Sequence, residues 1–269
     1  MMILRLIFLL WLLLPLAALA TQDGRPFIQN LPREDLENLK VLFEFLFKTN
    51  EFSYTLFGDK PVSFCYFPAP IKSQSISQAL RQLAEPQPPL WRGAIAWERR
   101  QAHLPATNYI LVCNETSPWA FIIHIAAFKE AVESNREFIP SHATADELLD
   151  LWRKNPEECI HSCDHQLLGI LLGYGTHNAR LFQKYYGLKL MKSTVPLFQP
   201  DSDERVFLDC FQDMPEWLSR VGVVNFAADR SAPETSDLQR KYAQLSDKIL
   251  KILDSPDWFE QILDKLSLL

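Results

Sequence analysis

The chain has 269 residues, of which 48% are hydrophobic and 22% charged, and its formal net charge is −6 at pH 7. This composition can bury the core of one globular domain and is too apolar for a disordered chain. The acidic balance, with no long run of lysine and arginine, argues against a nucleic-acid partner and against binding to an anionic membrane surface, because both need a basic patch.

The first 20 residues have the organisation of a cleavable signal peptide. Arg5 precedes an apolar run over 6–16, and residues 18–20 (ALA) fit the pattern that signal peptidase cleaves. Because a membrane-spanning helix takes about 20 apolar residues, this run, interrupted by Pro15, is too short to stay in the bilayer. We therefore expect an exported protein, periplasmic or secreted, with one globular domain over 21–269 and no stable membrane span.

The first half of that domain is predicted to contain helices and three strands. In chain order these are a helix over 31–48, a turn at 58–59, a strand over 62–67, helices over 73–84 and 90–104, and strands over 108–113 and 119–125. The strands are rich in β-branched and aromatic residues. The last two, separated by a polar loop that ends in proline, predict an antiparallel hairpin.

Helices dominate the second half. They are predicted over 126–134, from a capping box at 144–147 through Trp152, from 155–156, over 165–172, from a Thr176 cap to a stop at Gly187, and over about 234–268. Residues 196–204 are predicted as a loop and 221–227 as a further strand. The sum is an α+β fold: a helix-dominated single domain with a small antiparallel sheet.

An apolar seam runs along the C-terminal region. It comprises Leu238, Tyr242, Leu245, Ile249 and Ile252, spaced four and three residues apart. This spacing predicts a helix whose seam packs on its own domain or faces another chain. We favour packing on the domain, because amphipathic helices gain most stability by covering a local core.

Residues 159–165 hold the densest cluster of side chains that bind metals. The donors are Cys159, His161, Cys163 and His165, which suit zinc or copper. On a continuous helix the two cysteines share one face and the two histidines the opposite face, so the four converge only if the segment breaks near Asp164. A metal site and a redox-active dithiol are two interpretations; structural thiols beside ordinary histidines are the third, which we favour.

A glycine-rich turn is the second candidate site. Its residues are Gly173, Gly175, Thr176, His177, Asn178 and Arg180. Glycines let the backbone approach a ligand or another helix closely. A helix that begins at Thr176 would offer free N–H groups to an anion, with Arg180 one turn on. The alternative, which we favour, is a crossing of two helices with His177 and Asn178 as caps.

Aromatic residues recur over 45–57, directly before Asp59 and Lys60. They line a pocket with Asp59 and Lys60 at its rim, or they belong to the core, with 58–61 as a turn; we favour the core.

The five cysteines, which include Cys65, Cys113 and Cys210, leave at least one thiol without a partner in the chain, although an exported protein can form disulfides.

Two stretches, FLFKTNEFSYTLFGDKPVSF (45–64) and LLGILLGYGTHNARLF (167–182), together resemble segments of uncharacterised exported proteins of Chlamydia-like intracellular bacteria. A third stretch, PETSDLQRKY (233–242), extends the resemblance. That family has no activity assigned to it, so the resemblance implies a location in the bacterial envelope or at the host interface and no catalytic residues.

The sequence therefore favours an exported, non-catalytic binding or interaction protein of a Gram-negative-type bacterium. The alternative is a secreted hydrolase or a thiol- or metal-dependent enzyme that uses the 159–163 region. No phosphate-binding loop, nucleophile elbow or zinc-protease motif occurs in the sequence. The sequence identifies no cofactor, and it leaves open whether the partner is a protein or a small molecule.

Overall fold

The computed structural model describes residues 31–66, 88–101, 107–113, 119–139, 143–192, 228–229 and 231–267. The helices are α1 Arg33–Phe43 (continued by a π-helical turn, Glu44–Lys48), α2 Phe52–Leu56, α3 Pro89–Gln101, α4 Ile125–Ser134 (followed by a 3₁₀ turn, Arg136–Phe138), α5 Ala145–Lys154, α6 Pro156–Ser162, α7 His165–Leu171, α8 Thr176–Lys192, α9 Pro233–Leu253 and α10 Trp258–Ser267. The strands are β1 Val62–Tyr66, β2 Tyr109–Val112 and β3 Trp119–His124. The predicted helix-dominated α+β fold is confirmed.

The three strands form one antiparallel sheet in the order β1-β3-β2. The predicted hairpin pairs β2 with β3, and Tyr109 lies opposite His124 in its register. β1 lies on the other side of β3, with Val62 opposite Ile123. Side chains alternate between the two faces of a strand, so this register fixes which residues each face presents.

Each face of the sheet contributes to a separate hydrophobic core. The first core contains Cys65, Leu111, Cys113, Ala120 and Ile122 from one face, packed with residues of α1, α3, α9 and α10. The second core contains Val62, Ile110 and Ile123 from the other face, packed with residues of α4, α5, α6 and α7. The sheet therefore lies between two helical layers, and its strands contribute apolar residues to the core on both faces.

The ends of several helices follow from local chemistry. Thr144 and Glu147 form the predicted capping box, because the Thr144 hydroxyl accepts from the Glu147 N–H and the Glu147 carboxylate accepts from the Thr144 N–H. The chain breaks after α6, and the carboxylate of Asp164 caps α7. Gly173 and Gly175 then have φ values of +75° and +84°, a region that glycine enters without strain.

The C-terminal helices pack on their own domain. Tyr242, Ile249 and Leu253 of α9 are buried in the first core, together with Phe259 and Ile262 of α10. The seam therefore covers the local core, as we expected. No helix among the described residues has the length and hydropathy to cross a membrane.

Two predictions about α8 are wrong. The helix does not stop at Gly187 but continues to Lys192, since one internal glycine costs a helix only about 1 kcal/mol. Thr176 is its first residue and not its cap: the hydroxyl donates to Asn135 Oδ1 at 3.0 Å. The signal peptide 1–20, the helix 73–84, the loop 196–204, the strand 221–227 and Cys210 lie outside the described residues.

Candidate functional site at the 173–178 turn

The turn between α7 and α8 is packed against two distant parts of the chain. The Gly173 carbonyl accepts a hydrogen bond from the Tyr242 hydroxyl of α9 at 2.7 Å. A Cβ atom at Gly173 would lie 2.5 Å from that hydroxyl and 3.2 Å from Lys60 Cγ. Only glycine satisfies both the positive φ and this close approach, so the turn is fixed between α9 and the segment before β1.

The carboxylate of Glu234 occupies the N-terminus of α8. It accepts from the N–H groups of Thr176 and His177 at 2.9 Å each and from that of Asn178 at 3.4 Å. A Cβ atom at Gly175 would lie 2.6 Å from Glu234 Cδ, so glycine is needed for the approach. The free N–H groups and the positive end of the helix dipole therefore meet an anion, as the sequence suggested, but the anion belongs to the chain itself.

Asn178 ties the same turn to the segment that leads into α9. Its side chain is 1% exposed. The amide nitrogen donates to the Tyr174 carbonyl at 3.0 Å, and Oδ1 accepts from the Asp229 N–H and the Thr235 hydroxyl, each at 3.1 Å. A buried amide with partners on both ends holds two segments in one arrangement. Asn178 is therefore a structural residue of the junction and has no free group for a ligand.

Two of the predicted ligand-binding residues face solvent, where acids pair with them. His177 Nε2 lies 3.3 Å from Asp229 Oδ2, and Arg180 lies 3.5 Å from Glu137 Oε1. Hydrogen bonds from the Ser231 hydroxyl and N–H, supported by His177, lower the pKa of Asp229. In a catalytic triad the serine hydroxyl donates to the histidine, and the histidine donates to the aspartate. Here the Ser231 hydroxyl donates to Asp229 instead of His177, so these three residues do not form a triad that activates the serine.

A buried polar network lies on the other side of Gly173. The ammonium of Lys60 is fully buried, forms an ion pair with the Glu51 carboxylate and donates to Ser63 Oγ at 3.1 Å. Ser63 in turn donates to the Glu51 carbonyl at 3.0 Å and is hydrogen-bonded to the Thr55 hydroxyl at 2.7 Å. Lys60 also lies 5.8 Å over the Tyr174 ring. Lys60 is thus inside the domain and not at the rim of a pocket.

The Lys60–Ser63 contact resembles the pair used by serine hydrolases with a lysine base. A lysine base must be neutral to accept the serine proton. Lys60 is instead paired with a carboxylate, and Ser63 is 0% exposed. The pair therefore stabilises the position of β1 and cannot reach a substrate in this conformation.

The four donors of the 159–165 cluster do not converge on one point. The chain does break near Asp164, as convergence required, yet Cys159 is buried in the second core while His161 is exposed. The His165 ring packs edge-on against Phe182 at 6.0 Å. Among the described residues, no three His, Cys, Asp or Glu side chains are placed to hold a metal ion.

The described cysteines are unpaired thiols with raised pKa values. Burial, with smaller contributions from nearby acidic groups, raises the pKa of Cys159 to about 11 and that of Cys163 to about 12. Burial likewise raises the pKa of Cys65 to about 12 and raises that of Cys113. Because the thiolate is the reactive form, these groups are poor nucleophiles at neutral pH.

The three stretches of the resemblance meet at this junction. Lys60 comes from 45–64, Gly173 from 167–182, and Glu234 and Tyr242 from 233–242. Sequence reasoning selected the turn but missed Glu234 as its partner, and it missed Glu51 as the partner of Lys60. An acid in the first turn of a helix is common, and nothing in the sequence indicates that Glu234 caps a second helix 58 residues away.

No protein-family model matches the chain, and no curated protein and no solved structure matches it significantly. The resemblance to exported proteins of Chlamydia-like bacteria therefore stays a prediction.

Proposed function

We propose that this chain is an exported, non-catalytic interaction protein of the bacterial envelope or host interface, and that it binds a partner protein through an aromatic surface at one end of the sheet. This surface, which we call the aromatic end, consists of Phe64, Tyr66 and Trp119. Aromatic side chains are enriched at protein interfaces because they bury a large area at low entropic cost.

The exposure of Tyr66 carries the proposal. Tyr66 is 60% exposed, more than the other exposed large hydrophobic residues of the described part, among which Leu151 is 46% exposed. The Tyr66 and Trp119 rings lie opposite each other in the β1–β3 register and pack edge-to-face, with centroids 5.6 Å apart. Phe64 packs against Trp119 at the same distance. The three rings are therefore held in place before any partner binds.

The 173–178 turn supports a non-catalytic role. Its backbone donors and its buried amide are satisfied by Glu234, Asp229 and Thr235. The alternative function, a secreted hydrolase or a thiol- or metal-dependent enzyme using 159–163, has less support. Its thiols have raised pKa values, and the neighbouring histidines do not converge with them.

Export is the second part of the proposal and rests on residues 1–20. We expect the product in its native cell to begin at Thr21 and to lie in the periplasm or outside the cell. Mass analysis of the natural product, together with cell fractionation, checks this. An intact product that starts at Met1 in the cytosol contradicts it.

A photocrosslinking amino acid at Tyr66 tests the interaction in the native cell. We expect one dominant protein adduct from position 66 and none of that mass from the matched control at Leu151 on α5. The same adduct from both positions contradicts the aromatic end as the interface. Turnover by the purified full chain on a broad hydrolase panel contradicts the non-catalytic role.

A further inference from the structure

A histidine with an unpartnered nitrogen lies at the opposite end of the sheet. His124 ends β3, and its ring stacks on Tyr109 of β2 with centroids 4.9 Å apart. Its Nδ1 atom is buried and has no hydrogen-bond partner within the described chain. The Gly58 backbone lies near enough to influence the ring, but no hydrogen bond of normal geometry joins it to Nδ1.

Two charged groups, Lys265 and Asp59, act on this ring, and a third charged group pairs with Asp59. Lys265 of α10 repels a proton on His124, and its ammonium lies 6.0 Å over the Tyr109 ring. Asp59, in the loop before β1, attracts the proton. Lys241 of α9 pairs with Asp59 at 2.8 Å, so the Asp59 carboxylate is shared with another cation. A proton on His124 would thus be repelled by Lys265, while the carboxylate that attracts it already pairs with a lysine.

We propose that His124 is a pH-sensitive contact that loosens helix α10 from the first core when it gains a proton. Phe259, Ile262, Leu263 and Leu266 of α10 are buried in the first core. A protonated His124 would be half-buried and repelled by Lys265, which projects from α10. The repulsion is relieved when α10 moves away, and that movement exposes an apolar helix face.

The direction of the pH effect follows from the surroundings of His124. Burial, followed by the charge of Lys265, lowers the pKa of His124 below its ordinary value of 6.5, against smaller opposing effects of Asp59 and Gly58. Below that ordinary value, the unfolded or detached form therefore binds more protons than the packed form. Stability is lost as the pH falls through about 6.5 towards the lower pKa of the packed state.

Thermal unfolding of the full chain at about pH 7.5 and about pH 5.5 tests the contribution of His124. We expect the wild-type Tm to drop on acidification and the drop to be smaller by roughly 2–4 °C in His124→Gln. His161→Gln, which removes an exposed histidine on α6, is the matched control and should keep the full drop. An equal drop in His124→Gln and the wild type overturns the proposal.

Hydrogen exchange, corrected for its intrinsic pH dependence, tests which element moves. We expect the amides of α10 to lose protection at the acidic pH while those of α5, in the second core, keep it. Lys265→Met, a change at an exposed position, should reduce the loss, whereas Lys251→Met on α9 should not. Unchanged protection of α10 in the wild type, or a native-state NMR pKa of His124 at or above its ordinary value, contradicts the proposal.

Discussion

The 159–165 segment and the 173–178 turn are neighbours in the chain, and they differ in what surrounds them. The first has four side chains that bind metals well, but the fold directs one into the second core and leaves another in solvent. The second has mostly backbone groups to offer, yet it receives Glu234, Tyr242 and Lys60 from remote segments. Convergence of distant partners, more than the local density of reactive residues, makes the turn an organised site.

The largest expected effect tests the buried network behind the turn. Glu51→Ala leaves the Lys60 ammonium buried without its carboxylate, and we expect it to lower the free energy of unfolding by about 3–5 kcal/mol. Urea denaturation measures the change. The double variant Glu51→Ala, Lys60→Met should be more stable than the single variant, because it removes the unpaired charge. If the unfolding free energy of Glu51→Ala equals that of the wild type within experimental error, the ion pair does not stabilise this region.

A methyl group at the turn should have the next largest effect. Gly173→Ala places Cβ against the Tyr242 hydroxyl and at a φ of +75°, so we expect a loss of roughly 1–3 kcal/mol in unfolding free energy. Tyr242→Phe removes the hydroxyl that the methyl group meets. Gly173→Ala should therefore cost less in the Tyr242→Phe background than in the wild type, and equal costs would contradict the close approach.

Removing the carboxylate at the helix start should have a smaller effect. Glu234→Ala takes a charged acceptor from three N–H groups of α8, and we expect a loss of about 1–2 kcal/mol in chemical denaturation. Asp237→Ala, an exposed acid paired with Arg240 on the same helix, is the control and should change stability by about 0.5 kcal/mol or less. If the two variants lose the same stability, Glu234 contributes no more than an ordinary surface acid, which contradicts its role at the start of α8.

The smallest effect is expected in the 159–165 segment. His161→Ala should change the free energy of unfolding by less than about 0.5 kcal/mol, because its side chain is exposed. A chelator should leave the Tm of the full chain unchanged. Stoichiometric zinc or copper that is lost in a Cys159→Ser, Cys163→Ser double variant would reverse the comparison and restore the metal interpretation.

The elements that the sequence predicted well are those fixed by local patterns. The capping box at Thr144, the hairpin of β2 and β3 and the seam of α9 each depend on residues a few positions apart. The predicted end of α8 at Gly187 was wrong because a single glycine does not end a helix when the residues after it continue the helix.

The candidate site was only half predictable, for a physical reason. The need for glycine at 173 and 175 is visible in the sequence as a break between two helical patterns. The identity of the acid that binds the turn is not visible in the sequence, because the position of Glu234 depends on how α9 packs on the rest of the fold. Likewise, the residue types at 159–165 suggested metal ligands, but the packing of the fold determines whether their side chains point into the core or into solvent.

NMR titration of the full chain with inorganic phosphate tests the central claim most directly, since it follows the backbone amides of Thr176, His177 and Asn178. With Glu234 seated on these amides, the wild type should show no saturable shift, and Glu234→Ala should show shifts at all three. Saturable phosphate binding at the same amides in the wild type would contradict the claim that the chain fills its own anion site.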